Sequence, residues 1–429
     1  MSSLTVTLIL FSLLLLLLFL NVPLVVSIGL PTALIMLGSG MKVATLAQRT
    51  YASVDSFTLM AIPFFMLAGK LMEVGGMSKR IVRLADCLVG WMAGGLAHVI
   101  VVASAFFGAL SGSAAATTAA IGSTLIPEMK KRGYPADFVA GIQAVAGALG
   151  VIIPPSITMI MYGVCSSTSI GKLFMAGIVP GIVLALFLMV TIAYQAKKRK
   201  ISQMNTFTFK ELGTAFLDAI PALLVPTIIL GGIYGGIFTP TEAGAVAATY
   251  VFLAGAFWYK EINLQNIGNI MGGAIVNTVL VMIVVGASGA FSWLLTSAGV
   301  SSLLGKAISA IAGNKYIFLL VANLIFIFIG MFIESVAGIL IVTPILLPIA
   351  TSLGVDPVHF GIIMVVNLAL GLTTPPVGEN QYIAAAIAEI PFEEEVKASI
   401  PFLIAGFAAL AVITYVEPLS LWLPGILGM

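Results

Sequence analysis

Charge is the scarcest property of this chain of 429 residues: Asp, Glu, Lys and Arg make up 8% of it, against about 25% in ordinary soluble domains. So few ionised groups cannot cover a water-facing surface, which excludes a soluble globular protein. Basic and acidic residues nearly balance, 19 against 17, so the positive excess of a nucleic-acid binder is missing as well. The only cysteines, Cys87 and Cys165, have no metal-ligand spacing; they argue against a structural disulfide and read as small buried hydrophobes. His98 and His359 lack a partner at ligand spacing, so neither is read as a metal ligand. Also missing are a His-Glu-x-x-His pair, a phosphate loop, a dinucleotide fingerprint and a serine with a base beside it. No enzyme and no organic cofactor is expected.

What the chain has is apolar length. Apolar residues amount to 60%, gathered in runs near Leu4–Leu20, Val22–Leu37, Ser56–Met72, Leu96–Leu110, Leu173–Tyr194, Ala219–Gly235, Ala243–Tyr259, Ile275–Leu295, Ile317–Ile333 and Ile400–Val416. Each approaches the ~20 residues that cross a bilayer as a helix. The first run has no basic leader and continues through Asn21-Val22-Pro23 into the second, so it reads as a retained helix rather than a signal peptide. The expected fold is an all-α polytopic membrane protein.

Self-comparison finds two copies of one unit. The stretch from Gly147 through Gly150, Pro154 and Pro155 to Ser156 matches that from Leu368 through Gly371, Pro375 and Pro376 to Val377, an offset of 375 − 154 = 221. Pro127 and Pro348, Gly133 and Gly354, and Pro180 and Pro401 keep that offset, and Gly108 aligns with Gly330 after a one-residue gap. Loop charge gives the copies opposite orientations. Lys130-Lys131-Arg132 follows Pro127, whereas the loop after Pro348 has no base; the first copy ends in Lys197-Lys198-Arg199-Lys200 and the second in Glu417. The loop Glu393-Glu394-Glu395-Val396-Lys397, placed on the cytoplasmic side, argues the other way, but acidic residues weigh little in this rule. Inverted repeats with interrupted helices place a transporter's binding site where the interruptions meet.

Each copy holds two interruptions at membrane depth. Gly108 to Thr118, between apolar stretches too short for two spans, reads as a re-entrant helical hairpin, and Gly150 to Ser156 as a helix broken by two prolines. Carbonyls freed there are tolerated only when buried in protein or lining a cavity. A small hard cation is their natural partner, and a half-helix N-terminus beside it can face an anion. The second copy supplies Glu334-Ser335 at its tip and Gly371-Leu372-Thr373-Thr374-Pro375-Pro376 at its break. Two related sodium sites with an acidic solute between them follow as an expectation. Close helix packing by small residues is the alternative for any single run.

Glu334, a carboxylate in an apolar segment, either takes part in ion or proton coupling or sits at an interface. Glu379 and Asn380 follow the second break and are candidates to line the solute cavity. Thr239-Pro240-Thr241-Glu242 is a capping box that opens a helix. Ser78 to Trp91, with Lys79, Arg80 and Arg83 on one face, reads as an amphipathic helix on the membrane surface, with Gly299 to Ala312 as its counterpart.

Three motifs in order, Phe107-Gly108-Ala109-Leu110-Ser111-Gly112-Ser113, Gly231 to Ala243 around Thr239-Pro240-Thr241-Glu242, and Thr374-Pro375-Pro376-Val377-Gly378, resemble the large membrane subunit of TRAP transporters over essentially the whole length. The resemblance implies a sodium-coupled importer of organic acids in the bacterial inner membrane. Its partners would be a small four-helix membrane subunit and a periplasmic substrate-binding protein, besides the lipid bilayer, with no nucleic acid. It further implies an elevator, in which a transport domain of hairpins and broken helices slides against a scaffold. The chain then divides into N-terminal scaffold helices (1–55), repeat 1 (56–200), connecting scaffold helices (201–265) and repeat 2 (266–429). Carried over, sodium (Na+) would sit at Ser111, Gly112, Ser113, Gly150 and Pro154 in one half, and at Glu334, Ser335, Gly371, Thr373 and Thr374 in the other. The solute would lie against Ser113, Ser156, Ser335, Pro376, Glu379 and Asn380. Where many relatives continue Leu-Asn-Leu-Phe after Pro-Pro-Val-Gly, this chain has Glu379-Asn380-Gln381-Tyr382, which weakens substrate inference at that spot. C4-dicarboxylates and sialic acids are both family substrates, with sialic acid preferred here. A stand-alone sodium/carboxylate symporter of related architecture and a passive channel are the competing functions.

Overall fold

A computed structural model describes residues 2–20, 22–201, 208–300, 303 and 314–428. Among them the chain is helical throughout, with no strand. In order the helices are α1 (Ser3–Phe19), α2 (Leu24–Gly38), α3 (Val43–Val54), α4 (Ala61–Val74), α5 (Met77–Val89), α6 (Leu96–Ser111), α7 (Ala114–Lys131), α8 (Ala136–Ala146), α9 (Leu149–Ile152), α10 (Ile157–Ser166), α11 (Ile170–Lys198), α12 (Phe209–Tyr234), α13 (Pro240–Leu253), α14 (Ile267–Ser297), α15 (Lys315–Gly330), α16 (Ser335–Ser352), α17 (Pro357–Gly371), α18 (Glu379–Ala388), α19 (Phe392–Tyr415) and α20 (Pro418–Ile426).

Among the described residues six helices are long and apolar enough to cross a membrane, or seven when α8–α9 and α10, bent by 44°, count as one broken span. That is fewer than the ten apolar runs, and the difference has a physical cause. The runs at Leu96–Leu110 and Ile317–Ile333 become α6 and α15, helices of 16 residues that stop where the chain turns back. The run at Ala243–Tyr259 becomes the 14-residue α13 and a π-helical turn, Ala254–Trp258. The first two runs form helices of 17 and 15 residues. Apolar composition alone does not distinguish a span from a hairpin arm.

The offset seen in the sequence recurs in the elements. α7 and α16 have 18 residues each and begin 335 − 114 = 221 positions apart. α10 and α18 have 10 each and begin 379 − 157 = 222 apart. Both end on a left-handed non-glycine residue, Ser167 at φ 56° and Glu389 at φ 58°, and each preceding break holds a cis peptide, Pro154-Pro155 and Pro375-Pro376.

The halves interlock: α18 packs on α7 and α8, and its counterpart α10 packs on α16 and α17. This centre is dense, with α8 buried from Phe138 to Ala146 and α17 from Val358 to Gly371. α12 and α14 by contrast expose apolar side chains such as Leu217, Ile275 and Leu280, as lipid-facing helices do. α14 packs against α2, α3 and α4 on one side and α16 on the other. Between α3, α14, α10 and α16 lies a cavity of about 380 Å³ lined by Ser53, Cys165, Ser288, Trp293 and Leu340.

α5 is amphipathic as expected, but its basic face meets protein. Arg80 lies 3.4 Å from Asp218 of α12 and 3.3 Å from Glu261, its guanidinium 3.7 Å above the Tyr259 ring; Arg83 lies 3.6 Å from Asp218. Arg80 is thereby clamped to its neighbours, while Lys79 and Arg83 stay largely exposed. Its proposed counterpart, Gly299 to Ala312, falls largely outside the described residues. Cys87 and Cys165 are free and half-buried, less enclosed than expected.

Candidate functional site

The first tip is built by backbone contact. Gly112, at φ +62°, ends α6 in a left-handed turn that favours glycine, and the Ser113 hydroxyl then caps α7 by accepting from the Ala116 amide. A Cβ on Gly108 would sit 2.8 Å from Gly150 Cα, and one on Gly150 would sit 2.4 Å from both Ser113 O and Thr117 Oγ1. No side chain fits between hairpin and break. A Cβ on Gly112 would approach Pro155 O to 3.0 Å and Ser156 Cα to 3.4 Å, so the tip also touches the start of α10. Ser156 caps α10 as Ser113 caps α7. Two helix N-termini with neutral caps therefore lie side by side. Ser111, Gly112, Ser113, Gly150, Pro154 and Ser156 are thus gathered in one place, with the Ser111 hydroxyl 3.0 Å from Thr117 Oγ1.

The second tip repeats the plan with different chemistry. A Cβ on Gly371 would sit 2.5 Å from Gly330 Cα, the same hairpin-to-break contact. Glu334 occupies the cap position of Ser113 and accepts from the Val336 amide at 3.0 Å. Ser335 is fully buried and its Oγ has no hydrogen-bond partner. Thr373 and Thr374 both donate to Leu370 O, at 2.7 and 2.8 Å. α18 begins at Glu379, near enough to Glu334 for the two charges to act on each other, and both side chains are exposed, as is Pro376. Here two helix N-termini carry carboxylates.

Asn380 sits apart from the exposed surface. It is fully buried, and its Nδ2 donates to Ala144 O at 3.3 Å, tying α18 to α8 of the other half. The Thr239–Glu242 capping box is complete. Its hydrogen bonds hold the exposed Glu242 carboxyl below the usual range, the Thr239 amide contributing most. His98 contacts Ala93 O and His359 contacts Thr414 O, both buried. Among the described residues no group of three His, Cys, Asp or Glu could hold a metal ion; the donors gathered at the two tips are hydroxyls, carbonyls and, at the second, carboxylates.

Two features escape sequence reading. One is a buried polar chain in the second half: Asn367 Nδ2 donates to Asn323, whose Nδ2 donates to Thr414 Oγ1 at 3.1 Å. The other is Glu395, assigned to a solvated acidic loop by its neighbours but fully buried in α19. The asparagines signal only as polar letters within apolar stretches and Glu395 only as one acid among several, and neither signal says which face is occupied.

Comparison with known proteins follows the same lines. The sequence profile described as "Tripartite ATP-independent periplasmic transporter, DctM component" matches residues 8–419. The C4-dicarboxylate TRAP transporter large permease protein DctM of Pseudomonas aeruginosa is 42% identical over 404 residues, covering 94% of this chain and 95% of that one. The sialic acid TRAP transporter large permease protein SiaM of Vibrio cholerae is 37% identical, with 88% of each chain covered. The isethionate TRAP transporter permease protein DctMQ of Oleidesulfovibrio alaskensis is 42% identical over 94% of this chain and 64% of its own length. Among solved structures, the Alcanivorax borkumensis YdaH transporter shares the fold, with TM-score 0.63 at 14% identity over 89% of this chain and 88% of that one.

Proposed function

Because the chain belongs to the DctM component family of tripartite ATP-independent periplasmic transporters, we propose that it is the permease of a sodium-driven importer of organic acids in a bacterial inner membrane. Membership makes it a multi-pass membrane transporter of the organic-acid class and not an enzyme. Sodium coupling, the solute and the motion are our reading. The observation that carries it is the pair of tips, each in backbone contact with its own break, one neutral and one acidic.

At the neutral tip the helix starts suit an anion, while the carbonyls freed at the break and the hydroxyls beside them suit sodium. Helix N-termini present unpaired amides and a partial positive charge, and at Ser113 and Ser156 two of them meet without a fixed carboxylate. The acidic tip suits a cation, with Glu334 and Glu379 repelling each other until a positive ion lies near them. Sodium bound there, among hydroxyl and carbonyl oxygens, lowers the cost of bringing a solute carboxylate close. That is coupling: the ion makes room electrostatically for the anion. A single carboxylate with a hydroxylated body fits this asymmetry better than a dicarboxylate, whose second charge would meet Glu334 and Glu379. Sialic acid is therefore the solute we favour.

In the same reading 1–55 and 201–265 are scaffold, and the repeats 56–200 and 266–429, inverted in the membrane, supply the moving body of an elevator. Ser111, Gly112, Ser113, Gly150 and Pro154, with Glu334, Ser335, Gly371, Thr373 and Thr374, contribute to sodium, and Ser113, Ser156, Ser335, Pro376, Glu379 and Asn380 to the solute. A small four-helix subunit and a periplasmic binding protein complete the system; the relative named DctMQ, longer than this chain, supports a fused small subunit in that case.

The test is uptake of labelled sialic acid by vesicles containing this chain, with and without the small subunit and binding protein, under a sodium gradient. Accumulation is expected only with all three and the gradient. Uptake by this chain alone, indifferent to sodium, defeats the reading; sodium-driven uptake of labelled succinate but not of labelled sialic acid moves the solute to the dicarboxylates.

A further inference from the structure

Glu395 is out of keeping with its surroundings. It follows the exposed Glu393 and Glu394 at the start of α19, yet its side chain is fully buried and neither carboxyl oxygen has a hydrogen-bond partner. Phe138 lies 5.9 Å from Phe402, and Gly141 is seated on the backbone of Ala398 and Ser399. One more turn of that register brings Glu395 against Ala144 and Val145 of α8, both fully buried. Beside it Gln381 of α18 donates to Ser399 Oγ at 3.0 Å.

Every charged or titratable group on the elements packed against α19 is engaged elsewhere or distant. On α8, Asp137 pairs with Arg199 at 2.9 Å. On α18, Tyr382 stacks on Phe392 and Glu379 lies at the helix start, while Glu389, just past its end, pairs with Lys130 at 3.6 Å. On α17, His359 contacts Thr414 O. On α11, Lys172 stands at the first turn and Tyr194, Lys197 and Lys198 near the last. None acts on Glu395, nor do Glu393, Glu394 or Lys397 of its own helix. The fold does not require an acid there: at the equivalent position by the offset of Pro180 and Pro401, 395 − 221 = 174, stands the fully buried Phe174.

A buried carboxylate with neither donor nor counter-charge takes up a proton instead. We propose that Glu395 is a proton-binding site, loaded while α8, α18 and α19 close around it and emptied when that interface admits water, so that solute import responds to pH. The reaction is a carboxylate gaining or losing one proton, exchanged with the aqueous boundary at the exposed Glu393 and Glu394 that immediately precede it. The transport half of this statement rests on the function proposed above; the proton site itself does not.

The experiment uses the purified full-length chain, wild type and Glu395→Gln. Infrared difference spectra are expected to show a protonated carboxyl band that persists in the wild type at pH values where exposed glutamates are ionised and is missing from the variant. Sodium-driven uptake by the complete system is expected to fall severalfold as pH rises in the wild type, within the limit of about tenfold per pH unit for one proton, and to be flat in Glu395→Gln. Should the glutamine variant fail to fold, Glu395→Met, close in size to glutamate and without a carboxyl, takes its place, and the band is assigned to Glu395 by its loss in that variant. Absence of the band, or a variant whose uptake keeps the wild-type pH profile, overturns the proposal. A system that imports nothing under any condition defeats the transport reading and leaves the infrared result to judge the proton site.

Discussion

The two tips share a backbone and differ in charge. Each joins a hairpin to a proline-broken helix through touching glycines, Gly108 with Gly150 and Gly330 with Gly371. Each brings together the starts of two helices, one in the hairpin and one after the break. In the first half those starts are capped by the hydroxyls of Ser113 and Ser156; in the second Glu334 caps one and Glu379 opens the other. The contacts that fix shape recur, and the side chains that set polarity do not. One frame can thus present different charge at matching points, because shape is held by main chain while the caps are free to vary.

The sharpest way to break this comparison is to force the glycine contacts apart. Gly150→Val and Gly371→Val place side-chain atoms where backbone already stands, cost about 1–3 kcal/mol by overpacking, and are expected to abolish uptake in vesicles alike; a strong loss in one half with none in the other denies the shared frame. Next in size, Ser113→Leu and Thr374→Val should remove sodium stimulation while the protein remains folded by gel filtration, and normal stimulation in both contradicts the ion assignment. Glu334→Gln is a smaller change and separates the tips by charge: half-saturating sodium should rise about tenfold, equivalent to about 1.4 kcal/mol, with a lesser change in solute affinity. If the solute constant moves more than the sodium constant, the acidic tip is not the cation's. Arg80→Ala lies outside both tips and should lower stability by about 1 kcal/mol, through its partly exposed ion pairs and its stacking on Tyr259, read as a lower thermal midpoint. Glu242→Gln, in the exposed capping box, should lower that midpoint least and leave uptake as it was.

Much of this frame is legible in sequence because proline and glycine act through the backbone. Two Pro-Pro pairs at one offset predict two breaks wherever the chain is placed, and the Thr239–Glu242 spacing specifies its own hydrogen bonds. The polar interior is a different matter. Asn323 and Asn367 lie in apolar stretches and Asn380 and Glu395 in polar ones, and whether each faces lipid, water or protein depends on helices far away in sequence. Arg80 shows the same limit at the surface: amphipathic periodicity marks a basic face, but whether headgroups or Asp218 and Glu261 lie opposite is settled by tertiary contacts. Span counting fails for a related reason, since α6 and α15 are as apolar as true spans and differ only in where the chain reverses.

The cavity between α3, α14, α10 and α16 bears on how such a molecule wears its own flexibility. Where glycines touch, nothing can slide without collision, so each hairpin and its break form a single casting. Room is left instead along the flank, where Ser53, Ser288 and Trp293 border a gap that could seat a small molecule away from both tips.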